Sequence, residues 1–536
     1  AAAAVVLGYV APHRYVLVAW MAFAAALTEV GLRRRMLEFR IQSYALALMA
    51  VIAALINNID KGAARWPWIP ITLAALFGYW VCLRVGRFTG EMSKPERRFS
   101  SPGLAWITTL LAMLSAVFAA PPKFAAAALI MLAALMLELG LRNLPSQFRR
   151  LSYLPLAIGS LATLAGGVFD VSKTMPVISL WNLGVSALFS YWIAIRERDQ
   201  RVVHPFASAF ATLFAAALMW AALPHATIAV GWSVLSLALV EVGLMLGSAA
   251  MRLEGDILSG AVVVRLFIAN YANAGVTAGL SHRLLTVAPV IAQQYYMWAR
   301  RRLSSAPWEV AMSRAYLYAA PLLAVLLMRF ELGRVMTVTG WAAMTVLLLW
   351  LGWRRRDIDF RIQAYILAAL CFWRSWTTNF YVPDSFAGVL GRIGIAAVVV
   401  AALHAAEFIS PRHPEANESM PRWLRLIEQY ARSYFALLAA ALVSILIFYE
   451  VSGGMLTVAW GVQASVLLAA GFVFRERVLR LAGLLLFFNC ILKLFLYDLR
   501  RLETMNRILS FIVLGAVMVG VSWIYTRFRE QIQKYL

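Results

Sequence analysis

The chain has 536 residues, of which 62% are hydrophobic and only 14% are Asp, Glu, Lys or Arg, with a mean hydropathy of +0.75. A soluble domain carries roughly 25% charged residues, so this composition excludes a soluble globular enzyme and a disordered chain. The formal net charge is nonetheless +23, from 49 basic and 26 acidic residues. In a soluble protein that excess would indicate nucleic-acid binding, but in a membrane protein the Lys and Arg of the loops also set the topology.

Stretches of about 20 mostly apolar residues, each long enough to cross a bilayer, follow one another along the whole chain. They predict an all-α integral membrane protein with 19 complete spans. The predicted spans are 14–33, 39–58, 66–84, 101–120, 123–142, 149–168, 174–196, 204–223, 225–248, 254–273, 283–300, 308–329, 333–353, 358–379, 385–409, 428–449, 453–474, 478–498 and 503–526. Residues 1–12 are expected to be the end of a truncated helix, so that the chain begins within a longer protein.

The basic residues are distributed unequally between the two sets of loops. The loops that follow odd-numbered spans, together with the C-terminal tail, hold 33 Lys and Arg, whereas the opposite loops and their margins hold 11. Short cytoplasmic loops are enriched in Lys and Arg, so this asymmetry predicts a cytoplasmic C-terminus. Most of the positive charge is then explained by the membrane topology and by contact with anionic lipid headgroups. Nucleic acid is not an expected partner.

An internal repeat is indicated by a tryptophan that is followed eleven residues later by a glycine. The pairs are Trp20/Gly31, Trp232/Gly243, Trp341/Gly352 and Trp460/Gly471, and Gly140 has Leu129 in the place of the tryptophan. Successive glycines are 109, 103, 109 and 119 residues apart, which predicts tandem parallel units of four spans, A to D, about 107 residues long. The predicted boundaries are 1–12 for the truncated helix, then 13–121, 122–224, 225–332, 333–452 and a three-helix unit at 453–536.

Five basic residues remain inside predicted spans, where an ionisable group is costly and is a candidate for function. Counting from the repeat glycine brings most of these and some neighbouring polar residues into register. Position +22, in span B, holds Arg265, Arg374 and Lys493, and five residues later come Asn270, Asn379 and Asp498. Position +40, at the start of span C, holds Arg283 and Arg392. Arg507 matches this position if one loop is four residues shorter. A helix rise of 1.5 Å per residue places the B cations roughly 12 Å below the outer ends of their predicted spans.

Two interpretations of these six cations stay open. They could line a cavity in the outer half of the membrane for an anionic group such as a lipid phosphate, a diphosphate carrier or a polysaccharide carboxylate, because Arg forms bidentate contacts with such groups. Alternatively, each cation pairs with a neighbouring Asn, Asp or carbonyl group and fixes the packing of the helices. Near the opposite membrane face, Glu29 and Glu138 precede Arg33 and Arg142 by four residues and predict helix salt bridges.

No pattern typical of a catalytic, metal or cofactor site occurs in the chain. P-loop, GxSxG and GxGxxG motifs are absent, and so is an acidic pair that would bind Mg²⁺. Cys82, Cys371 and Cys490 and the six histidines are too dispersed to form a disulfide framework or a metal cluster. We therefore expect no catalytic residues, no metal and no cofactor.

The C-terminal 70 residues resemble a family of large bacterial membrane proteins known as domain of unknown function 2339. The shared pattern resembles K-x-F-L-x-D-L, a Leu, R-x-L-S-F, L-G and Y-x-R. In this chain it falls on Lys493, Phe495, Leu496, Asp498, Leu499, Leu502, Arg507, Leu509, Ser510, Phe511, Leu514, Gly515, Tyr525 and Arg527. The resemblance implies a bacterial inner membrane and many spans, often after a coiled-coil segment, but no activity.

The function expected from these features is that of a non-enzymatic integral scaffold or subunit of a bacterial envelope assembly. Its grooves would bind membrane lipids or the helices of partner proteins. The alternative is a transporter or flippase-like protein that moves an anionic lipid-linked or polysaccharide substrate through the cationic cavity. An enzyme that acts on lipid-linked sugars is a third and weaker possibility.

Overall fold

The chain forms a succession of helices in the computed structural model, which describes residues 16–59, 68–86, 103–142, 147–168, 177–272, 275–277, 279–304, 306–380, 389–411, 422–452, 455–474, 476–494 and 504–527. The truncated helix predicted over residues 1–12 lies outside these ranges, and so does Asp498. The helices belong to two compact units, Ala1–Ala269 and Asn270–Leu536, and each is described by itself.

The first unit contains a series of apolar helices joined by short turns. Its α-helices are α1 (Val16–Arg33), α2 (Leu37–Ile59), α3 (Trp68–Gly86), α4 (Leu104–Ala119), α5 (Ala125–Arg142), α6 (Gln147–Leu151), α7 (Tyr153–Thr163), α8 (Val177–Arg196), α9 (Val203–Ala222), α10 (Ile228–Met245) and α11 (Ala249–Arg265). Two π-helical turns continue α7 and α11, at Leu164–Val168 and Leu266–Asn270, and a 3-10 turn at Pro122–Phe124 precedes α5.

The second unit continues in the same way after a small hairpin. Strands β1 (Val276–Thr277) and β2 (Leu280–Ser281) pair antiparallel. The α-helices are α12 (His282–Arg301), α13 (Pro307–Glu331), α14 (Gly333–Arg354), α15 (Ile358–Arg374), α16 (Val389–Ile409), α17 (Arg422–Gln429), α18 (Ala431–Glu450), α19 (Leu456–Val473), α20 (Arg477–Lys493) and α21 (Thr504–Arg527), with a π-helical turn at Ser375–Phe380 after α15. The expected all-α class is therefore confirmed, because the only strands in the described residues are these two-residue ones.

Eight of the described helices are long and apolar enough to cross a membrane by length and composition. These segments are Pro122–Arg142, Val203–Ala222, Ile228–Met245, Pro307–Glu331, Met336–Arg354, Gly391–Ile409, Ala431–Glu450 and Leu456–Val473. Many large apolar side chains on the helices are exposed, such as Leu188 and Ile268, as expected for surfaces that contact lipid. The larger number of 19 spans stays a prediction.

The same helix contacts occur several times along the chain. We name as A the helices with the repeat glycine (α1, α5, α10, α14 and α19), as B the next long helices (α2, α7, α11, α15 and α20), as C the following ones (α3, α8, α12, α16 and α21) and as D α4, α9, α13 and α18. Every A helix packs on the B helix that follows it, and every D helix packs on the C helix before it and on the A helix after it. Short loops between successive helices favour this antiparallel neighbour packing.

The repeat glycine lies where the end of helix A meets the start of helix B. A Cβ atom at Gly352 would lie 2.5 Å from Cγ of Arg361 and 3.1 Å from its backbone nitrogen. A Cβ at Gly31, Gly243 or Gly471 would likewise meet Cγ and the backbone nitrogen of the arginine nine residues later. At Gly140 it would meet the backbone of Arg149, with the nitrogen at 2.8 Å. The glycine is required because any side chain would collide with the incoming backbone.

The turn between these two helices is a Schellman motif. The N–H group five residues after the glycine donates to the glycine carbonyl, at 2.8 Å for Ser248 and at 3.0 Å for Asp357. The residue before this donor has a positive φ, of 69° at Gly247 and 54° at Arg356. Helix A thereby satisfies a terminal carbonyl, and the chain reverses within a few residues to begin helix B.

Helices A and B cross closely at small residues seven positions before and twelve positions after the repeat glycine. In α10 and α11 these are Ser236 and Gly255, and the Ser236 hydroxyl donates to the Gly255 carbonyl at 2.7 Å. The Ser43 hydroxyl donates to the Ala24 carbonyl at 2.8 Å, and a Cβ at Gly483 would lie 2.9 Å from the Ala464 carbonyl oxygen. The same two positions hold Ala133 and Ser152 in the second predicted repeat unit and Thr345 and Ala364 in the fourth. Small side chains allow two backbones to approach, which is how helices associate in a lipid environment.

We predict that Gly352→Ala lowers the free energy of unfolding by about 1–3 kcal/mol, because the new methyl group overpacks the contact with Arg361. Gly394→Ala is the matched control, since a Cβ at this helical glycine meets no atom within 4 Å. Alanine is the better helix former, so the control is expected to be neutral or slightly stabilising. Unfolding of both variants in mixed detergent micelles measures the difference, and equal effects would contradict the packing argument.

Candidate functional site

The three cations predicted inside B helices each stand at the last residue of an α-helix. Arg265 ends α11, Arg374 ends α15 and Lys493 ends α20. The predicted spans continued at least five residues beyond each cation, but after the first two the backbone changes to the π-helical turns Leu266–Asn270 and Ser375–Phe380. A cation at a helix C-terminus is stabilised by the partial negative charge of the last carbonyl groups.

Arg265 is held by the neighbouring helices of the first compact unit. Its guanidinium lies 4.4 Å from the ring centre of Trp220 and 5.9 Å from that of Trp232. Nη2 donates to the carbonyl of His225 at 3.0 Å, and only 8% of the residue is exposed. Aromatic faces attract a desolvated cation, so the two indole rings stabilise the charge of the buried guanidinium.

Arg374 has a related environment in the second compact unit. Its guanidinium lies over the ring of Trp341, at 5.5 Å from the ring centre. Trp341 stands 33 residues before Arg374, and Trp232 stands 33 residues before Arg265. The tryptophan of the repeat therefore provides an aromatic face to the B cation at both positions.

Lys493 lies at one end of a groove formed by α18, α19 and α20. Its Nζ atom donates to the hydroxyl of Thr457 at 3.0 Å. The groove has a volume of about 680 Å³. Its lining is mostly Leu, Ala and Ile from the three helices, with Asn489 and Lys493 on α20 and Ser444 on α18 as the polar members. We call this cavity the Lys493 groove.

Arg283 lies in the first turn of α12, as expected for the start of span C. Its Nε donates to the carbonyl of Tyr271 at 2.9 Å. Its guanidinium lies 5.2 Å from the ring centre of Phe330, near the end of helix D. The side chain thus ties the beginning of a C helix to the end of the next D helix.

Arg392 occupies the corresponding position in α16 and forms an ion pair with Glu450 at the end of α18. The Nε–Oε1 and Nη2–Oε2 distances are 2.6 and 3.2 Å, so the contact is bidentate. This partner is a carboxylate that the spacing of the sequence did not indicate. Arg507 lies in the first turn of α21, and its side chain is outside the described residues.

The supporting amides are placed by the π-helical turns. Asn270 is the last residue of its turn and is 2% exposed, whereas Asn379 is the residue before the end of its turn and is 1% exposed. The structure thus buries both amides beyond the B cations along the chain. Their proposed partner role toward the cations stays a prediction.

Three repeat tryptophans tie a D helix (α9, α13 or α18) to the A helix that follows it. The indole N–H donates to a backbone carbonyl sixteen residues earlier, at 3.0 Å in all three cases: Trp232 to Ala216, Trp341 to Val325 and Trp460 to Ser444. These carbonyls belong to helix D rather than to the tryptophan's own helix. The sequence revealed the register of these residues but not the atom that the indole contacts.

Ion pairs also join helix A to helix C near the end that carries the repeat glycine. Glu29 and Glu138 pair with the arginines four residues later, which confirms the predicted helix salt bridges. Each glutamate also accepts hydrogen bonds from the last turn of the C helix, from Arg84 at 2.6 Å and from Arg196 at 2.5 Å. Both arginines follow a Tyr-Trp pair by four residues, a signal that could have indicated them.

A similar pair holds the short helix α17. Nη1 of Arg361 lies 2.7 Å from Oε1 of Glu428, and both side chains are buried. Burial raises the pKa of the Glu428 carboxyl above its ordinary value, and the charge of Arg361 acts in the opposite direction. α17 is thereby fixed to the beginning of α15.

The second half of the chain matches a known protein family. Residues 277–528 match the model of the family described as Predicted membrane protein (DUF2339). The resemblance found at the C-terminus is confirmed. The match includes the B cations Arg374 and Lys493, and together with the apolar helices it indicates a multi-pass membrane protein. No curated protein and no solved structure matches the chain.

We predict that Trp341→Phe destabilises the protein by about 1 kcal/mol, because it removes the hydrogen bond to Val325 and weakens the aromatic face beside Arg374. Trp373→Phe is the control, since this tryptophan is 58% exposed. Detergent-induced unfolding of the two variants measures the difference. If Trp373→Phe lost as much stability as Trp341→Phe, the hydrogen bond from the Trp341 indole to Val325 would not be the cause of the loss.

Proposed function

We propose that this chain is a non-enzymatic integral scaffold or subunit of a bacterial envelope assembly that binds lipid or partner helices in its inter-helix grooves. The observation that carries the proposal is the indole–carbonyl bond that recurs between helix D and the next helix A. It links successive groups of helices at a fixed register. A frame of this kind suits a protein that holds other molecules in place.

The contacts of the in-register cations support the same role. Arg265 is engaged by a carbonyl and two indole rings, and Arg392 is engaged by Glu450. These contacts match the interpretation in which the cations fix the helix packing. Breaking one of them in an apolar surrounding would leave a charged group unsatisfied, which disfavours motion of the helices past each other.

The proposal includes the tandem arrangement of four-helix units with boundaries at 13–121, 122–224, 225–332, 333–452 and 453–536. The recurrent A–B, C–D and D–A contacts support it, and so does the contact between each repeat glycine and the arginine nine residues later. Each four-span unit crosses the membrane an even number of times and so returns the chain to the same membrane face. With this topology, 19 spans bring the arginine-rich loops and the C-terminus to the cytoplasmic face of the inner membrane.

A transporter or flippase-like protein for an anionic lipid-linked or polysaccharide substrate is the second candidate. The Lys493 groove favours it, since a cavity of about 680 Å³ with an ammonium group at one end suits an anionic amphiphile. A transporter must change the arrangement of its helices to alternate access, whereas a scaffold keeps one arrangement. The two functions therefore differ in what happens when helices D and A are locked together.

A disulfide lock distinguishes the two functions. A Cβ at Gly340 would lie 3.8 Å from Cγ of Met328, so Gly340→Cys with Met328→Cys places two cysteines at facing positions of α14 and α13. Mass spectrometry of the oxidised protein checks that the disulfide forms. Cys82, Cys371 and Cys490 are first replaced by alanine. We predict that the oxidised double variant restores the growth of a strain lacking the gene under envelope stress as fully as the reduced one.

The single-cysteine variants under the same oxidation are the controls. Gly231→Cys with Met219→Cys repeats the test at the corresponding contact of the first compact unit, where the Cβ–Sδ distance is 3.6 Å. Loss of complementation on oxidation, regained on reduction and seen only in the double variants, would contradict the scaffold and favour the transporter.

A further inference from the structure

The Lys493 groove is long, mostly apolar and lined by three helices. Along α20 its lining runs from Ala482 to Lys493, a distance of roughly 16 Å at 1.5 Å per residue. Leu437 of α18 and Leu467 of α19 line it as well, and Ile445 and Trp460 lie on the same two helices nearer the lysine end. A hydrocarbon chain fits such a lining without leaving any polar group unsatisfied.

Polar groups collect where the groove ends at Lys493. Asn489 stands four residues before Lys493, so both side chains lie on the same face of α20. The hydroxyl of Thr457 fixes the ammonium group from α19. One cation and one amide at the end of an apolar channel are the donors expected for a phosphate that is attached to a hydrocarbon chain.

Hydrogen bonds hold two of the groove walls, α18 and α19, against each other. Nε2 of Gln463 donates to the carbonyl of Ala440 at 2.9 Å, and the Ser444 hydroxyl donates to Oε1 of Gln463 at 3.0 Å. Nε1 of Trp460 donates to the Ser444 carbonyl. The groove is therefore preformed, and a bound chain would not have to separate the helices.

A second apolar groove lies in the first compact unit and differs from the Lys493 groove because no charged residue is among its described lining residues. Its volume is about 260 Å³, and α1 to α4 line it with apolar side chains plus Tyr44 and Thr108. It serves as an internal comparison for binding that depends only on apolar surface.

We propose that the Lys493 groove binds one molecule of an anionic phospholipid, with an acyl chain along α20 and the phosphate against Lys493 and Asn489. The inference rests on the proposed function, which has the protein bind lipid, and names the class of lipid and its site. By the predicted topology the headgroup belongs to the outer leaflet of the inner membrane. The bound lipid fills the space between α18, α19 and α20 and so contributes to the packing of these helices.

Native mass spectrometry of the delipidated full chain tests the site. It counts bound lipid after titration with phosphatidylglycerol, with phosphatidylcholine of the same acyl chains, and with inorganic phosphate. We expect one tightly bound phosphatidylglycerol whose affinity exceeds that of phosphatidylcholine about tenfold or more. Lys493→Met is expected to remove this preference and Lys493→Arg to keep it.

Two further variants separate the charge from the groove. Arg477→Met removes a cation from the other end of α20, outside the groove lining, and is expected to leave the preference unchanged. Ala441→Phe fills the apolar part and is expected to weaken phosphatidylglycerol binding while Lys493 is intact. The unfolding temperature of each variant in detergent shows whether the fold is retained, and Lys493→Arg keeps the test valid if Lys493→Met fails to fold.

Equal binding of the two lipids by the wild-type chain would overturn the proposal, and so would an unchanged preference in Lys493→Met. Competition by inorganic phosphate with no effect of Ala441→Phe would indicate an anion site without a lipid chain, which also overturns it. These results do not depend on the disulfide lock. A moving protein could bind this lipid, and a rigid scaffold could lack it, so the two proposals fail separately.

Discussion

Helices surrounded by lipid gain little by burying apolar surface against each other, so close backbone approach and polar contacts must hold them together. The crossing of helices A and B at small residues is the contact on which the rest of this fold depends. At α10 and α11 the hydroxyl of Ser236 reaches the Gly255 carbonyl, and the repeat glycine admits the backbone of the incoming B helix. These contacts fix the A–B pair, and the neighbouring C and D helices pack against it.

The other contacts extend this pair into a frame. The indole of each described repeat tryptophan from Trp232 onward joins a pair to the preceding D helix, and ion pairs such as Glu138–Arg196 join helix A to helix C. The charged groups lie near helix ends, where the cost of burial is lowest and the helix dipole favours a cation at the C-terminus. In the proposed scaffold, the positive charges inside the predicted spans serve helix packing. Lys493 stands out because a cavity also opens beside it.

The sequence predicted which residues occupy equivalent positions in successive helices, because such positions follow from spacing along the chain alone. The spacing of Trp341, Gly352 and Arg374 was visible, and the structure places the first and last of them in contact. Span ends were less predictable, because hydropathy does not distinguish an α-helix from the π-helical turn that follows Arg265. The pairing of Arg392 with Glu450 could not be predicted, since the two lie on different helices 58 residues apart. The Lys493 groove likewise depends on how three helices pack.

In the proposed scaffold, these contacts hold the helices in one arrangement. Spin labels at Leu303 and Val473, both exposed at helix ends of the second compact unit, report the distance between α12 and α19 in liposomes. We expect a single narrow distance distribution, unchanged by a membrane potential, by pH or by a change from phosphatidylcholine to phosphatidylglycerol. Two populations that exchange weight with any of these conditions would contradict it.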